Sequence, residues 1–201
     1  MKIDSILIIG CGGLGGFVIE ETARLGIKNL TLMDGDVFCE SNMNRQLESG
    51  LDTLGKSKAL VYKERLERKF NAKVNAITEF FSESNSDILK SVDVVIECVD
   101  SISARLFIEQ ECEKYNKILI HGGVDYSYGQ VCICFPGEKK LAKFYKTSRE
   151  KRHTTNAYSV ATVASMQVAL LNRLMLDEVE EWRHKLVVVD LESLTIDVLG
   201  I

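Results

Sequence analysis

A six-residue stretch near the start of the chain restricts the folds open to it. Residues 10–15 read Gly-Cys-Gly-Gly-Leu-Gly and lie between an apolar run, Ser5–Ile9, and a stretch of helical spacing at 14–25. In a Gly-x-Gly-x-x-Gly pattern, the first glycine permits a tight turn, the second lets backbone approach a phosphate, and the third lets helix and strand pack closely. A second apolar run covers Asn29–Met33. This order predicts a βαβ unit with parallel strands.

The rest of the chain continues to alternate between helix-like and strand-like segments. Helical spacing predicts helices at 56–70, 102–115 and 157–176, and β-rich runs predict strands at 73–78, 92–99, 118–121, 130–135, 186–190 and 195–199. Polar, lysine-rich residues at 138–155 predict a mobile surface loop. Together these segments predict an α/β fold: a Rossmann-like, doubly wound, mainly parallel sheet with a C-terminal antiparallel extension.

Length and composition fit one domain. With 201 residues, of which 46% are hydrophobic and 27% charged, the chain can build one substantial core. We expect a single domain over residues 1–201. Its parts are an α/β core (1–135), a crossover loop (136–156) and a helix followed by a β-hairpin (157–201).

Charge and hydropathy argue against two classes of partner. No apolar run approaches the roughly 20 residues that cross a bilayer, and the N-terminus lacks the features of a signal peptide. We therefore expect no membrane association and a cytoplasmic location. The formal net charge of −4 gives no sign of the broad basic surface that binds a nucleic-acid backbone, so we expect no nucleic-acid partner.

The six cysteines and three histidines show no metal-binding spacing. No two cysteines have the two-residue separation of a zinc knuckle, so we expect reduced, mostly buried thiols and no zinc site. Cys132 and Cys134 would point to the same face of a strand, which leaves a vicinal redox or metal pair open. His121, His153 and His184 share no motif, and we expect structural or surface roles for them.

The glycine turn and the acidic residue after the second strand predict a nucleotide site. Free N–H groups and the dipole at the start of the first helix favour an anion. Asp34 ends the second strand, where it can accept hydrogen bonds from a ribose. An oxidoreductase that binds a dinucleotide would use the same loop and carboxylate. These residues therefore do not decide between hydride transfer and adenylate formation.

Three further side chains favour a triphosphate. Arg45 follows the second strand, and Lys58 lies at the start of the helix at 56–70. Arg presents a planar fork to phosphate oxygens, and Lys supplies a compact point charge. Asp100 follows the buried strand at 92–99, at the sheet edge where doubly wound folds bind ligands, and a carboxylate there can hold Mg²⁺ on phosphates. The alternative role of Asp100 is the N-cap of the next helix.

Several motifs together resemble the ThiF/MoeB/HesA branch of the ubiquitin-activating enzyme superfamily. They are the glycine loop at 10–15, Asp34-x-Asp36, Ser-Asn-Met-Asn-Arg-Gln at 41–46, Gly-Lys-Ser-Lys-Ala at 55–59 and Glu-Cys-Val-Asp at 97–100. Their order and spacing agree over roughly residues 5–135, and more weakly to the final hairpin. The chain is most similar to a short ThiF-type sulfur-carrier adenylyltransferase.

The resemblance implies ATP and Mg²⁺ as cofactors and a defined set of site residues. The catalytic residues that it implies are Arg45, Lys58 and Asp100, with Asp100 as the Mg²⁺ ligand. The nucleotide-binding residues that it implies are Gly10, Gly12, Gly13, Gly15, Asp34, Asp36, Asn42, Asn44, Arg45, Gln46, Lys58 and Asp100. Alignment and charge stabilisation would carry such a reaction, because a carboxylate is already a nucleophile.

The function that the resemblance implies is adenylation of the C-terminal glycine carboxylate of a small ubiquitin-like sulfur carrier, with release of pyrophosphate. The partner would be a β-grasp protein ending in Gly-Gly, and a ThiS-like carrier of thiamin biosynthesis is favoured by analogy. The open alternatives are another carrier, such as a molybdopterin-synthase-type subunit, a non-catalytic relative that binds nucleotide and partner, and the oxidoreductase. A homodimer is also implied, with the apolar helix at 157–176 as the candidate interface.

The chain departs from the family's pattern in several places. It lacks the two zinc-binding Cys-x-x-Cys pairs, and residues 137–201 contain no cysteine that could form a thioester or persulfide. Residues 1–4 offer no counterpart to the arginine-bearing N-terminal helix of many relatives. Ser101 replaces the asparagine that typically follows the late aspartate. We therefore expect that any sulfur transfer uses another protein or proceeds directly on the adenylate.

Overall fold

The computed structural model describes residues 2–147 and 155–201, which form eight strands and five α-helices. The strands are β1 (Ser5–Ile9), β2 (Asn29–Met33), β3 (Lys73–Ile77), β4 (Val94–Glu97), β5 (Ile118–Asp125), β6 (Tyr128–Cys134), β7 (Lys185–Asp190) and β8 (Thr195–Gly200). The α-helices are α1 (Gly13–Arg24), α2 (Lys58–Phe70), α3 (Ile102–Lys114), α4 (Lys140–Phe144) and α5 (Ala157–Met175). Short 3₁₀ helices cover Glu40–Asn42, Glu83–Ser91, Tyr145–Thr147 and Glu180–Trp182.

The eight strands form one sheet in the order β3-β2-β1-β4-β5-β6-β7-β8. Strands β1 to β5 run parallel, and β6, β7 and β8 each pair antiparallel with the strand before them. The chain first adds β2 and β3 on one side of β1, and then places β4 and β5 on the other side. This reversal opens a crevice at the carboxyl ends of β1 and β4, the position at which doubly wound sheets bind ligands.

Helices cover both faces of the sheet, and the central strand shows why. Ile6 and Ile8 of β1 face the core under α1, α2 and α5, whereas Leu7 and Ile9 face the core under α3 and α4. A strand buried on both faces carries a continuous apolar run instead of an alternating one. Each such side chain contributes about 1.5–3 kcal/mol on burial, so β1 is a rigid base for the loop that follows it.

Helix α5 is the longest helix of the described chain, with 19 residues, and nine of them are buried. It packs against α1 and across β5 and β6. Much of its apolar surface is therefore already used inside the chain. Within the described ranges, no helix is long and apolar enough to cross a membrane.

The predicted fold class is confirmed, with element ends that differ by a few residues. The largest difference among the strands is in β5, which was predicted to end at His121 but continues to Asp125. Gly122 and Gly123 stay in register with Val131 and Gln130 of β6. A Cβ on Gly122 would lie 2.3 Å from the side chain of Gln167 in α5. The glycine therefore marks a close helix approach, which a sequence pattern does not distinguish from a strand end.

The predicted mobile loop at 138–155 is wrong for residues 140–147, which form α4 and a 3₁₀ turn. Leu141 and Tyr145 are buried in the core on the sheet face that α3 covers, so they anchor this segment. Lys140 is also buried, and its ammonium group lies 3.3 Å from the Glu138 carboxylate. Lys139, Lys143 and Lys146 are exposed, as expected of lysines on a surface segment. Residues 148–154, with His153, lie outside the described residues.

Candidate functional site

A cavity of about 900 Å³ opens at the carboxyl edge of β1, β2 and β4. Ten of the predicted site residues line it: Gly10, Gly12, Gly13, Asp34, Asp36, Asn42, Arg45, Gln46, Lys58 and Asp100. Two do not, Gly15 and Asn44. The structure thus brings the three predicted catalytic side chains to the wall of one cavity, although their roles in a reaction stay predictions.

The glycine loop forms the floor of the cavity between β1 and α1. Gly10 has a φ of +94°, a conformation that favours glycine, and its N–H donates to the Met33 carbonyl at 2.8 Å. A Cβ on Gly15 would lie 1.8 Å from the Gly10 carbonyl oxygen, so this glycine allows helix and loop to touch. Residues at the start of α1 can therefore direct free N–H groups at an anion.

Asp34 joins the end of β2 to the glycine loop. One carboxylate oxygen accepts from the N–H of Cys11 at 2.6 Å, and the other accepts from the N–H of Asp36 at 2.8 Å. Burial raises the pKa of Asp34, while the two amides and the charge of Lys58 act in the opposite direction. Each carboxylate oxygen has a second lone pair, so the fixed carboxylate can still accept from ribose hydroxyls.

Lys58 is a buried cation on the wall of the cavity. It is the first residue of α2, and its backbone N–H donates to the carbonyl of Asp36 at 3.1 Å. Its ammonium group lies 3.1 Å from the Asp36 carboxylate, with Lys58 at 7% side-chain exposure and Asp36 at 55%. A buried ammonium with one exposed carboxylate partner has donors left for a second anion.

Arg45 reaches the cavity from the segment after the 3₁₀ helix Glu40–Asn42. Its Nη1 donates to the carbonyl of Ser41 at 2.9 Å and to Asn44 Oδ1 at 2.8 Å. Asn44 in turn donates from Nδ2 to the carbonyl of Thr155 at 3.0 Å. Asn44 therefore holds Arg45 and does not form part of the wall.

Asn42 and Gln46 flank this arginine and are both buried. Asn42 Oδ1 accepts from the N–H of Cys39 at 3.1 Å. The side-chain nitrogen of Gln46 lies against Gly12, and its amide oxygen has no hydrogen-bond partner among the described residues. A buried acceptor without a partner beside a glycine loop fits a ligand that carries donors.

Asp100 lies between β4 and α3, is exposed, and lines the cavity. Its alternative role as a helix cap is taken by Ser101, whose Oγ accepts from the N–H of Ala104 at 3.3 Å. Asp100 is therefore free of that structural task. Within the described ranges, no group of three or more His, Cys, Asp and Glu side chains is arranged to hold a metal.

The sequence analysis missed an aromatic side of the cavity. Phe80 and Phe81 follow β3 and line the cavity together with Phe107 of α3. Phe80 is 65% exposed, and its ring lies so close to Gly35 that a Cβ there would be 2.9 Å away. The sequence did contain a signal for this aromatic side. Phe80 and Phe81 are adjacent, and they follow a strand that ends at the same edge of the sheet as Asp34.

Arg105 was also missed, although it lies in the first turn of α3, five residues after Asp100. It is 9% exposed and lines the cavity. Its Nη1 donates to the Tyr145 hydroxyl at 2.9 Å, and its Nη2 donates to the carbonyl of Val99 at 3.0 Å. Its Nε lies 3.8 Å from a carboxylate oxygen of Glu97, at the end of β4. The cavity therefore has a buried cation that is fixed by the protein itself.

His121 is a structural histidine beneath this arginine. It and Glu97 are both fully buried, and its Nδ1 contacts the Glu97 carboxylate. Burial lowers the pKa of His121, Arg105 acts in the same direction, and Glu97 opposes them. Burial also raises the pKa of Tyr145 to about 12, and the Tyr145 hydroxyl lies 3.2 Å from His121 Nε2. The imidazole is therefore neutral, donating to Glu97 and accepting from Tyr145.

The cysteines agree with the predicted buried thiols. Five of the six are buried and unpaired, and Cys39 is exposed. The Sγ atoms of Cys132 and Cys134 lie 3.8 Å apart on one face of β6. Burial raises the pKa of Cys112 to about 12, which keeps this neighbouring core thiol protonated.

A doubly wound sheet with a glycine loop at the carboxyl end of its first strand defines a Rossmann-like fold. Residues 2–200 match the ThiF family, and the chain belongs to this family. The resemblance drawn from the motifs is thereby confirmed.

Two relatives and one solved structure are similar to the chain over much of its length. It is 41% identical over 123 residues to a tRNA threonylcarbamoyladenosine dehydratase of Haemophilus influenzae, covering 58% of this chain and 47% of that protein. It is 28% identical over 181 residues to a probable molybdopterin-synthase adenylyltransferase of Porphyra purpurea, covering 89% and 47%. The chain therefore spans about half the length of these relatives.

The solved structure is that of E. coli MccB with ATP, which superposes with a TM-score of 0.80 at 21% identity. The match covers 98% of this chain and 63% of MccB. This agreement confirms the fold over nearly the whole chain.

Proposed function

We propose that this ThiF-family chain uses ATP to adenylate a carboxylate, and that the carboxylate is the C-terminal glycine of a small ubiquitin-like carrier. The observation that carries the proposal is the convergence of Arg45, Lys58 and Asp100 on one cavity with the glycine loop. Relatives named as adenylyltransferases and a fold neighbour solved with ATP support it. A hydride-transfer enzyme has no evident use for this arginine and lysine.

The residues present suit a nucleoside triphosphate along the length of the cavity. Asp34 accepts from the ribose, and the start of α1 donates to phosphate oxygens. Arg45 and Lys58 neutralise phosphate charge, and Asn44 keeps the Arg45 guanidinium in place from outside the wall. The unpaired amide oxygen of Gln46 accepts from the ligand.

In the proposed reaction a carboxylate oxygen of the carrier attacks the α-phosphorus of ATP. A bond forms between that oxygen and phosphorus, the bond to the bridging oxygen breaks, and pyrophosphate leaves with the electron pair. No proton has to move, so the chain needs positioned cations and amides rather than a general base. The cavity has such groups, and none of the histidines within residues 2–147 and 155–201 lies on its wall.

Mg²⁺ fits this site through Asp100. Magnesium in phosphate-transfer sites is held by one or two carboxylates together with phosphate oxygens, and Asp100 is an exposed carboxylate on the cavity wall. When bound, the ion neutralises charge on the phosphate groups.

The identity of the carrier is the finer part of the proposal. A ThiS-like thiamin carrier, favoured by the motif resemblance, stays a prediction. The name of the Porphyra purpurea relative points instead to a molybdopterin-synthase-type carrier. We propose a sulfur carrier that ends in Gly-Gly and leave these two as arms of one test.

A second candidate acceptor is a modified tRNA, favoured by the 41% identity with the tRNA threonylcarbamoyladenosine dehydratase. A threonylcarbamoyl group carries a carboxylate, so the same attack on ATP can begin on it. The net charge of −4 argues against tRNA as the main partner of this chain.

Pyrophosphate exchange tests the proposal. The purified chain is incubated with ATP, Mg²⁺ and labelled pyrophosphate, together with a ThiS-like carrier, a molybdopterin-synthase-type carrier or tRNA. We expect label to enter ATP with one carrier, and Arg45→Ala or Asp100→Ala to lower the rate by about 100-fold or more. Arg68→Ala and Asp87→Asn, which change exposed residues away from the cavity, are matched controls and should keep the wild-type rate.

If pyrophosphate exchange occurs only in the sample with tRNA, the acceptor is tRNA and not a carrier protein. Exchange with none of the three acceptors would refute adenylation, and tight binding of a dinucleotide would then favour the oxidoreductase.

A further inference from the structure

Asp100 leaves the sheet from a residue whose two backbone polar groups are both held by buried charged side chains. The N–H of Val99 donates to Glu97 Oε2 at 3.1 Å. The carbonyl of Val99 accepts from Arg105 Nη2 at 3.0 Å, and this carbonyl shares its peptide unit with the N–H of Asp100. Glu97 and Arg105 therefore fix the direction in which Asp100 enters the cavity.

Tyr145 extends this contact to the segment that contains α4. Its hydroxyl oxygen accepts from Arg105 Nη1 at 2.9 Å and also from Gln130 of β6, which leaves its proton for His121 Nε2 at 3.2 Å. The Arg105 guanidinium also lies over the Tyr145 ring, 5.6 Å from its centroid. The tyrosine immediately follows α4, which is anchored by the buried Leu141.

We propose that Arg105, Glu97 and Tyr145 are positioning residues that set the place of Asp100 in the cavity and couple it to the α4 segment. The expected effect on the reaction rate rests on the proposed function. The structural coupling between Tyr145 and Asp100 does not depend on that function. When Tyr145 is seated, Arg105 holds the Val99 carbonyl and Asp100 faces the cavity. When α4 moves away, Arg105 loses one of its two hydrogen-bonded anchors and Asp100 becomes less well fixed.

The chemistry of the cluster supports a positioning role over simple packing. Burying Glu97 at 0% and Arg105 at 9% exposure carries a desolvation cost, and apolar side chains of similar volume often serve stability as well or better. In the sequence, Glu97 lies three residues before Asp100 and Arg105 lies five residues after it. The helix cap beside it is supplied separately by Ser101. A misplacement of a reacting group by about 1 Å can lower a rate by roughly 100-fold, which gives such a cluster a function.

The test removes only the Tyr145 hydroxyl, with Tyr145→Phe, and combines it with Asp100→Ala. In the exchange assay, Tyr145→Phe should lower the rate at saturating ATP by about 10-fold and leave the KM for ATP within about 2-fold. In the Asp100→Ala background the same substitution should change the residual rate by less than about 2-fold, because it acts through Asp100. Tyr115→Phe, at the other end of α3 and away from the cavity, should do nothing in either background.

Hydrogen exchange at the Val99 and Asp100 amides provides a readout that needs no activity. We expect Tyr145→Phe to speed exchange in the segment 97–101 by at least about 5-fold and Tyr115→Phe to leave it unchanged. Equal loss of rate in both backgrounds, or unchanged amide exchange at 97–101, would overturn the proposal. If the wild-type chain shows no pyrophosphate exchange, the proposed function fails, and the amide exchange alone decides the coupling.

Discussion

Asp34 combines an observed structural contact with a predicted role in ligand binding. Its carboxylate accepts hydrogen bonds from two backbone N–H groups, one in the glycine loop and one in the turn after β2. Asp34 therefore joins the glycine loop to that turn. The same two oxygens are predicted to accept hydrogen bonds from the hydroxyl groups of a ribose. Substitution at this position should therefore change binding and local structure together.

Asp34→Asn should weaken ATP binding by about 10-fold or more, because the amide offers one acceptor oxygen where the carboxylate offers two. Calorimetric titration with ATP gives the Kd. Asp87→Asn, on an exposed 3₁₀ helix, is the control. An unchanged Kd in Asp34→Asn would remove Asp34 from the binding site.

Gly15→Ala should destabilise the fold by about 1–3 kcal/mol, since its Cβ would overlap the Gly10 carbonyl oxygen at 1.8 Å. Urea unfolding followed by circular dichroism measures the free energy of unfolding. Gly200→Ala, with no atom within 4 Å of the new Cβ, should stay within about 0.5 kcal/mol of wild type. Equal effects at the two positions would contradict the close approach of α1 to the loop.

At the scale of elements, the buried cluster below the cavity joins β4, β5, β6, α3 and the turn after α4. Glu97, His121, Gln130, Arg105 and Tyr145 each come from a different one of these elements. A sequence pattern predicted the strands and helices, because apolar periodicity reports which faces are buried. It did not predict the cluster, because the pairing of charged side chains depends on which strands become neighbours.

The cluster predicts a pH dependence of stability. The pKa of His121 is lowered in the folded chain, by burial and by Arg105, against about 6.5 when unfolded. Below pH 6.5 the unfolded chain therefore binds a proton that the folded chain does not. The free energy of unfolding should fall by up to about 1.4 kcal/mol per pH unit from pH 6.5 down to the folded pKa of His121. Above about pH 6.5 the stabilisation that His121 contributes should be fully present.

Urea unfolding at several pH values between 5 and 7.5 measures this slope. His121→Gln should lose most of the slope, and His184→Gln, at an exposed position, should keep it. A slope that persists in His121→Gln would assign the pH dependence to groups other than His121.

In the segment 140–147 and in the extension of β5, tertiary contacts determine the secondary structure, and the local sequence pattern predicts it wrongly. The charge of Lys139, Lys140, Lys143 and Lys146 suggested solvent, whereas Leu141 and Tyr145 anchor α4 in the core. Gly122 suggested a strand end, whereas it admits the side chain of Gln167. In both cases a contacting residue lies 40 or more positions away in the sequence: Arg105 for Tyr145, and Gln167 for Gly122.

At the scale of the whole molecule, the reversal of strand order at β1 and β4 brings the site together. Arg45 and Asp100 come from two separate loops and Lys58 from the start of α2, and motif spacing was enough to predict that they meet. The aromatic side and Arg105 could not be predicted this way, because Phe80 and Arg105 belong to no motif and reach the cavity through loop and helix geometry.

A homodimer remains a prediction for the whole molecule. Sedimentation equilibrium of the chain should give twice the monomer mass of 22.5 kDa. Much of the apolar surface of α5 is packed inside the chain, so Ala169→Glu on its exposed face tests whether α5 still contributes to an interface. A monomer at high protein concentration would contradict the dimer.

The identity of the nucleotide product tests the central claim most directly, namely that the cavity presents the α-phosphorus of ATP to a carboxylate. The chain is mixed with ATP, Mg²⁺ and carrier, and the carrier and nucleotides are analysed by mass spectrometry. The account predicts a carrier heavier by one adenylyl group at its C-terminus and an equal amount of pyrophosphate. Formation of ADP and phosphate with an unmodified carrier would contradict it.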